Sequence, residues 1–369
     1  MINQGDYDKF QARLIKKARN KAFPLKAMFE LTYRCNLKCR HCYVCDGENR
    51  KELQTQEVFS ILDQLAEAGC LNLGFTGGEP FLRKDIFDIL RYAKNKGFNT
   101  VLLTNATLIE EADADRLKEL GLNKIDVSFH TRKQEVFDWF TQRPGTYKRV
   151  SEAVRLLRKK GIDVFLKTTA MTINKDEILA LRHLAVEKFG AHFRWSSIIT
   201  PDLEANKENL RFRLTAEDVN CLEKQIRDDS VIEFEKLDTL EKINRKSAKR
   251  QRPIRKINHN QLFHCGAGKT EVVIDPYGQM RLCLDIPFPK YDILKSNFSQ
   301  SWKMLTDFVR DTAGGSSYQC QDCELIQYCK SCPAYAWLEC GDISACPPYF
   351  RELARLAKME SETEDIKIA

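Results

Sequence analysis

The sequence predicts an α/β protein: a partial (β/α)6 TIM-like barrel followed by a cysteine-rich region with little regular structure. Three observations lead there. Strand-like apolar runs alternate six times with helical periods between residues 26 and 200, the pattern of parallel strands joined by right-handed crossovers. Helical periods close on Gly69, Gly97, Gly121, Gly161 and Gly190, where the chain turns back toward the sheet. The fourteen cysteines fall in two groups, five between Cys35 and Cys70 and eight between Cys265 and Cys346, with Cys221 alone between them. Six units are too few for a closed eight-stranded barrel, so the sheet is expected to stay open.

In chain order, residues 7–21 read as a short amphipathic helix with Phe10, Leu14 and Ala18 on one side. A first strand over about 26–31 leads into a cysteine loop. Helical spacing over 54–68 places Val58, Ile61, Leu62 and Leu65 together. A strand over 72–75 runs into Thr76-Gly77-Gly78-Glu79-Pro80. Helix 85–96, strand 100–103, helix 110–120 and strand 124–129 follow. Helix 147–160, strand 163–169, helix 175–189 and strand 192–199 complete the alternation. A helix is expected over 215–229, then a basic stretch from Lys242 to Lys256. From Cys265 onward the chain is short-segmented. In folds of this kind the chemistry sits at the C-terminal strand ends. The cysteine loop, the Gly-Gly-Glu turn, Thr104-Asn105 and His130 follow strands one to four and share that face.

Composition narrows the class. The chain has 369 residues, 43% hydrophobic and 30% charged, enough to bury a core. No apolar run approaches the roughly 18 residues of a membrane span, and Met1 to Lys9 lacks a signal-peptide core. A cytoplasmic location without membrane contact is expected. In that reducing setting most of the fourteen cysteines read as ligands, not disulfides. The net charge is +7. The basic stretch reads as a solvated linker, or as a docking surface for an acidic peptide or protein. Without interleaved aromatics it does not suggest nucleic acid.

The central motif is Thr32-Tyr33-Arg34-Cys35-Asn36-Leu37-Lys38-Cys39-Arg40-His41-Cys42-Tyr43, with spacing C-x3-C-x2-C. Three thiolates on one short loop hold three corners of an iron–sulfur cube and leave one iron open for chemistry. Zinc, with His41 or Cys45 as fourth ligand, is the alternative. Gly77-Gly78-Glu79, one βα unit later, offers backbone groups with no side chain in the way, suited to an amino acid's ammonium and carboxylate.

Over about residues 24–200 these motifs resemble the radical S-adenosylmethionine enzymes. The resemblance implies a [4Fe–4S] cluster on Cys35, Cys39 and Cys42, with its open iron chelating S-adenosylmethionine. It implies that Gly77, Gly78 and Glu79 bind the methionine ammonium, and it adds Tyr43 after the third cysteine. His41 takes a place that is often aromatic. The implied chemistry is one-electron cleavage to methionine and a 5′-deoxyadenosyl radical. Asn105, Ser128 and His130 are candidates for ribose or substrate, with Ser128 as an inward core residue equally open. Lys167, Arg194 and Ser196 are candidates on strands five and six, Lys167 for a carboxylate.

The later cysteines resemble the SPASM extension of that family, which implies two auxiliary [4Fe–4S] clusters. By position, Cys265, Cys283 and Cys332 belong to the first, and Cys320, Cys323, Cys329 and Cys346 to the second. The gap between Cys329 and Cys332 is one residue shorter than usual, and Cys340 is extra. Cys340 or Cys346 completes the second cluster, or Cys340 completes the first; otherwise the first keeps an open iron. A pair of zinc knuckles is the alternative. Asp285, two residues after Cys283, is the candidate catalytic base. Asp275 reads as a turn residue before a hairpin, Cys70 as core, and Cys45 has no assignment.

The expected organisation is an N-terminal helix (1–23), the barrel (24–200), a helical and basic linker (201–262), the auxiliary-cluster region (263–350) and a C-terminal tail (351–369). The expected function is radical modification of a ribosomally made precursor peptide by a thioether or carbon–carbon cross-link or a related oxidation. Oxidation of a sulfatase Cys or Ser, a tetrapyrrole or other small-molecule reaction, and a non-catalytic electron carrier or zinc module are the alternatives. About 25 residues precede strand one, too few for a fused peptide-recognition domain, so a separate recognition protein or the basic stretch is expected to capture the peptide. The electron donor is expected to be of flavodoxin or ferredoxin type. Three cubane clusters predict about twelve irons per chain and sensitivity to oxygen.

Overall fold

The computed structural model describes residues 4–44, 50–122, 124–229 and 262–368. Cys45 and the basic stretch Lys242 to Lys256 lie outside these residues. One sheet organises the molecule, with strand order β6-β5-β4-β3-β2-β1-β7-β8-β9. The strands are β1 (Lys26–Glu30), β2 (Asn72–Thr76), β3 (Asn99–Thr104), β4 (Lys124–Ser128), β5 (Asp163–Thr169) and β6 (His192–Ser196). They are followed by β7 (Glu271–Ile274), β8 (Gln279–Arg281) and β9 (Tyr291–Asp292). Neighbours from β6 to β1 pair in parallel, and the six-unit reading matches this stretch. The crossover helices are α2 (Thr55–Glu67), α3 (Ile86–Asn95), α4 (Glu111–Glu119), α6 (Thr146–Lys159) and α7 (Ile178–His183). Glu57 closes a capping box on Gln54 at the start of α2, with Gln54 N donating to Glu57 Oε2 at 2.7 Å.

The sheet continues past β1. β7 pairs with it in parallel, Phe29 opposite Ile274. β8 and β9 then add antiparallel strands, and the hairpin expected after Asp275 is β7–β8. Asp275 makes that turn, its Oδ1 accepting from Tyr277 N and Gln279 N at 2.9 Å each. Helices α8 (Ala216–Asp228), α9 (Phe298–Asp311), α10 (Pro333–Cys340) and α11 (Pro348–Ile368) flank this half. Residues 312–332, which carry four cysteines, have little regular structure.

One face of the sheet buries Ala27, Phe29, Leu73, Phe75, Leu102, Ile125, Val127, Val164, Leu166 and Phe193 in the main core. Register places Glu30, Thr76, Asp126, Ser128, Lys167, Arg194 and Ser196 on the other face. Period-two alternation thus gives an apolar helix-packed side and a polar side.

Three local readings change. Helix α5 (Gln134–Thr141) was not expected; it buries Phe137 and Phe140 beside the cysteine loop. The helix expected over 175–189 is a 3-10 turn, a short α-helix and a π-turn in succession. Helix α1 (Gln4–Lys21) forms, but Phe10 is 61% exposed while Ala18 is buried.

Candidate active site

Backbone seams build the site. Beyond β1, Leu31 N donates to Thr76 O at 2.8 Å, Gly78 N to Thr32 O at 2.7 Å and Glu79 N to Arg34 O at 2.9 Å. The cysteine loop and the Gly-Gly-Glu turn therefore lie backbone against backbone. A Cβ on Gly77 would sit 2.2 Å from Thr32 O, and one on Gly78 2.2 Å from Arg34 O. Gly77 also has φ of +139°. Both glycines are required for the approach. Buried Arg83 braces the seam, its Nη1 donating to Leu31 O (3.1 Å) and Leu53 O (3.0 Å) and its fork pairing with Asp85.

Glu79 is fully buried. Its Oε1 accepts from Thr104 Oγ1 (2.7 Å) and Phe81 N (3.2 Å), and its Oε2 from Asn105 N (2.7 Å). Burial pushes its carboxyl up to about 7, against the pull of those hydrogen bonds. A carboxylate has about four acceptor positions, so Oε2 retains one for a further donor. Asn105 Nδ2 donates to Asn36 Oδ1 (2.9 Å) and reaches Cys35 Sγ (3.8 Å), while its Oδ1 accepts from Thr107. Asn105 ties strand three to the cysteine loop.

The thiols of Cys35, Cys39 and Cys42 lie near one another. Burial and the charges of Cys42 and Cys35 raise Cys39. That mutual repulsion of thiolates is what a cationic metal core relieves. Among the described residues, no three His, Cys, Asp or Glu side chains close on one point as the ligands of a single ion do. Cluster thiolates each take a separate iron, so they stand farther apart. Three thiols on one short loop are a donor set that a multi-iron core takes. His41 is stacked inward, edge-on to His130 at 4.7 Å and tilted on Phe140 at 4.8 Å. His130 is buried beneath it and accepts from Thr169 N at 3.3 Å. It supports the loop, away from the mouth where the sequence suggested it.

The eight later cysteines sort by proximity. Cys283 feels Cys332 and Cys265, with Asp285 beside them. Cys320 feels Cys329, Cys346 and Cys323. Cys332 is the N-cap of α10. Cys340 ends the same helix. Eight residues at 1.5 Å rise separate these two cysteines by roughly 12 Å. Cys340 is exposed and neighbours Cys346. Cys265, Cys283 and Cys332 thus lie near one another, as do Cys320, Cys323, Cys329 and Cys346, and Cys340 stands beside Cys346.

Asp285 lies between Cys283, Cys332, Tyr335 and Tyr43. Burial raises its carboxyl, opposed by Arg281. Tyr43, next to Cys42 on the first cysteine loop, thus lies near Asp285. Beneath it lies a network that the sequence reading missed. Arg281 and Glu30 form a buried ion pair, and Tyr33 Oη donates to Glu30 Oε2 at 3.1 Å. The available signal was Glu30 itself, a charge inside an apolar strand that needs a buried partner.

Ser128 and Lys167 are register neighbours on the polar face. Ser128 is exposed, which rules out the inward core alternative. Lys167 Nζ pairs with Asp126 Oδ2 at 3.1 Å. Arg194 and Ser196 continue this row, two strands or more from the Gly-Gly-Glu turn.

Residues 29–185 match the radical SAM superfamily. The chain is 35% identical over 185 residues to an Fe-coproporphyrin III synthase of Methanosarcina barkeri, covering 50% of this chain and 46% of that one. It is 29% identical over 293 residues to the antilisterial bacteriocin subtilosin biosynthesis protein AlbA of Bacillus subtilis, covering 76% and 59%. The chain thus spans about half the length of the curated relatives it matches. In fold it is similar to Streptococcus suis SuiB bound to S-adenosylmethionine, with TM-score 0.68 and 16% identity over 95% of this chain and 84% of that one. It is also similar to anSMEcpe with bound AdoMet, with TM-score 0.69 and 15% identity over 94% and 99%.

Proposed function

Starting from residues 29–185 as a radical SAM superfamily domain, we propose that the chain is a SPASM-type radical enzyme that modifies a ribosomally made precursor peptide. Cys35, Cys39 and Cys42 would hold the first [4Fe–4S] cluster. Cys265, Cys283 and Cys332 would hold one auxiliary cluster, and Cys320, Cys323, Cys329 and Cys346 the other. When bound, the cluster and S-adenosylmethionine supply hydrogen-atom abstraction from an unactivated C–H bond.

The protein's own residues supply position and charge. The Gly77–Glu79 turn presents bare backbone, and the remaining acceptor on Glu79 suits an ammonium. The tight packing around His41, His130 and Phe140 fixes the loop and keeps water from its inner side. Asp285 would take the substrate proton at its carboxylate, beside the three-thiol auxiliary group.

One observation carries the reading: β7 pairs with β1, and Asp285, two residues after Cys283, comes near Tyr43 on the first cysteine loop. Similarity to the subtilosin biosynthesis protein over 76% of this chain supports a peptide substrate. A tetrapyrrole is the second reading, favoured by 35% identity to the Fe-coproporphyrin III synthase. Anaerobic reconstitution, reduction and assay of 5′-deoxyadenosine test the chemistry; absence of cleavage would sink both readings. Mass spectrometry with a peptide encoded beside the gene, against coproporphyrin, separates them.

Two further outcomes are expected. Cys340→Ser keeps the wild-type iron content of about twelve per chain, whereas Cys346→Ser loses roughly four; equal loss in both would place Cys340 among the ligands. Binding of S-adenosylmethionine should strengthen as pH rises toward about 7. The ammonium needs the ionised Glu79, which forms only as pH approaches that value, and the affinity levels off above it. Calorimetry from pH 6 to 8.5 on wild type and Glu79→Gln checks this: the variant should bind weakly and without the pH slope. The same raised pKa makes Glu79 a stability cost that grows between its unfolded value near 4.5 and about 7.

A further inference from the structure

Among the described residues, β6 is the last strand on its side of the sheet. Register pairs Arg194 with Lys167 and Ser196 with Thr169, and Ser196 O accepts from Ala170 N at 2.7 Å. Main-chain groups alternate sides along a strand, so His192, Arg194 and Ser196 bond inward to β5. The N–H and C=O groups of Phe193 and Trp195 point the other way. Among the described residues, nothing bonds to them there. An edge of this kind accepts one more extended chain.

A cavity of about 180 Å³ adjoins the end of that edge, lined by Trp195, Ser196, Ser197, Ile198, Glu223 and Lys330. Ser197 is 6% exposed, yet its hydroxyl has no partner among the described residues. The same holds for Trp195 Nε1. Ser196 Oγ, by contrast, accepts from Ile198 N at 3.2 Å. A nearly buried hydroxyl without a partner is costly unless something in the cavity meets it. Glu223 of α8 and Lys330 form an ion pair in the wall. Lys330 directly follows Cys329 and stands two residues before Cys332. The cavity therefore joins the end of β6 to the later cysteine region.

We infer that the outer edge of β6 and this cavity dock an extended segment of the substrate peptide. The segment pairs with β6 as an added strand. One of its side chains enters the cavity, where Ser197 Oγ and Trp195 Nε1 meet a polar group on it. The inference rests on the proposed peptide reading and names where and how that peptide is held. The edge itself selects the occupant: main-chain donors and acceptors repeated at strand spacing match a polypeptide backbone, and a tetrapyrrole has no such repeat. Position argues the same way. β6 runs parallel to β1 through β5, so its C-terminal end shares the face of the cysteine loop and the Gly-Gly-Glu turn. A segment paired there lies along the rim of the candidate active site and leaves the residues beyond it free to reach in.

The test uses reconstituted holoprotein, with the synthetic precursor peptide encoded beside the gene as the probe. Single N-methyl groups placed along the peptide remove one main-chain donor at a time and leave the protein untouched. Affinity should fall at least tenfold at every second position within one short segment and stay within twofold between them, the signature of strand pairing. Amide exchange over residues 192–198 should slow at least tenfold when the peptide binds. Ser197→Leu fills the cavity and should weaken peptide binding at least tenfold. Its iron content and affinity for S-adenosylmethionine should stay within twofold of wild type. An N-methyl series without alternation overturns the inference, as does unchanged exchange over 192–198 in a wild-type protein that binds and modifies the peptide. In both cases the peptide reading stands and only the docking site falls. A wild-type protein that ignores the peptide and converts coproporphyrin refutes the peptide reading and this inference with it.

Discussion

Gly78→Ala is expected to abolish measurable binding of S-adenosylmethionine and to strip the first cluster. The new Cβ would meet Arg34 O at 2.2 Å and Arg34 C at 2.6 Å, both backbone atoms. No rotamer relieves such a contact. The two chains must part, breaking the bonds Gly78 N to Thr32 O and Glu79 N to Arg34 O. Two lost hydrogen bonds at about 1 kcal/mol each and overpacking of about 1–3 kcal/mol give a loss of roughly 3–5 kcal/mol. The same movement drags Glu79 from its donors and opens the loop that bears Cys35. Gly145→Ala is the control: its φ is positive, at +78°, but nothing lies within 4 Å of the added carbon. It should cost about 1 kcal/mol and keep its iron. Urea denaturation, iron content and ligand calorimetry on both variants decide the point. Wild-type binding by Gly78→Ala would show that the seam does not shape the site.

Arg281→Met should be strongly destabilising. It leaves Glu30, fully buried, without its countercharge. Breaking a buried pair by removing one partner costs about 3–5 kcal/mol. Burial already raises the Glu30 carboxyl despite Arg281, and the variant raises it further. Its stability should therefore fall more steeply with pH than that of wild type. The folded variant holds its proton where the unfolded chain releases it, so the loss grows as pH climbs above the unfolded value near 4.5. Denaturation midpoints at pH 5.5 and pH 8 measure this. Glu30→Leu/Arg281→Met should recover most of the loss, because two apolar groups replace two buried charges. If the double variant is no better than the single one, the Arg281 stem matters through its packing and not its charge.

How legible the molecule was depends on how far each signal reaches along the chain. The first six strands follow from local alternation and glycine stops, and their order follows from right-handed crossovers. Cys35, Cys39, Cys42 and the Gly77–Glu79 turn were visible because each motif is short and lies at a strand end. Helix α5 was not, because its Phe137 and Phe140 gain their meaning from the loop about a hundred residues earlier. The roles of Cys340 and Cys346 stayed open because spacing alone says nothing of direction; the helix with Cys332 at one end and Cys340 at the other parts only those two. His130 was placed at the mouth by its position after strand four, whereas its ring turns inward under His41. The Glu30–Arg281 pair spans 251 residues, beyond any periodicity.

The parallel pairing of β7 with β1 also governs how the protein is made. β1 acquires one neighbour from residues 72–76 and the other only from residues 271–274. During translation, the strand that launches the cysteine loop is an open sheet edge until residues 271–274 have left the ribosome. Open edges are templates for aggregation, and contacts of such sequence separation form slowly. A fragment ending near residue 229 should keep all six barrel strands and still precipitate, with Ala27 and Phe29 next to an unfilled edge. Iron insertion at Cys35, Cys39 and Cys42 is therefore expected to follow synthesis of the C-terminal half.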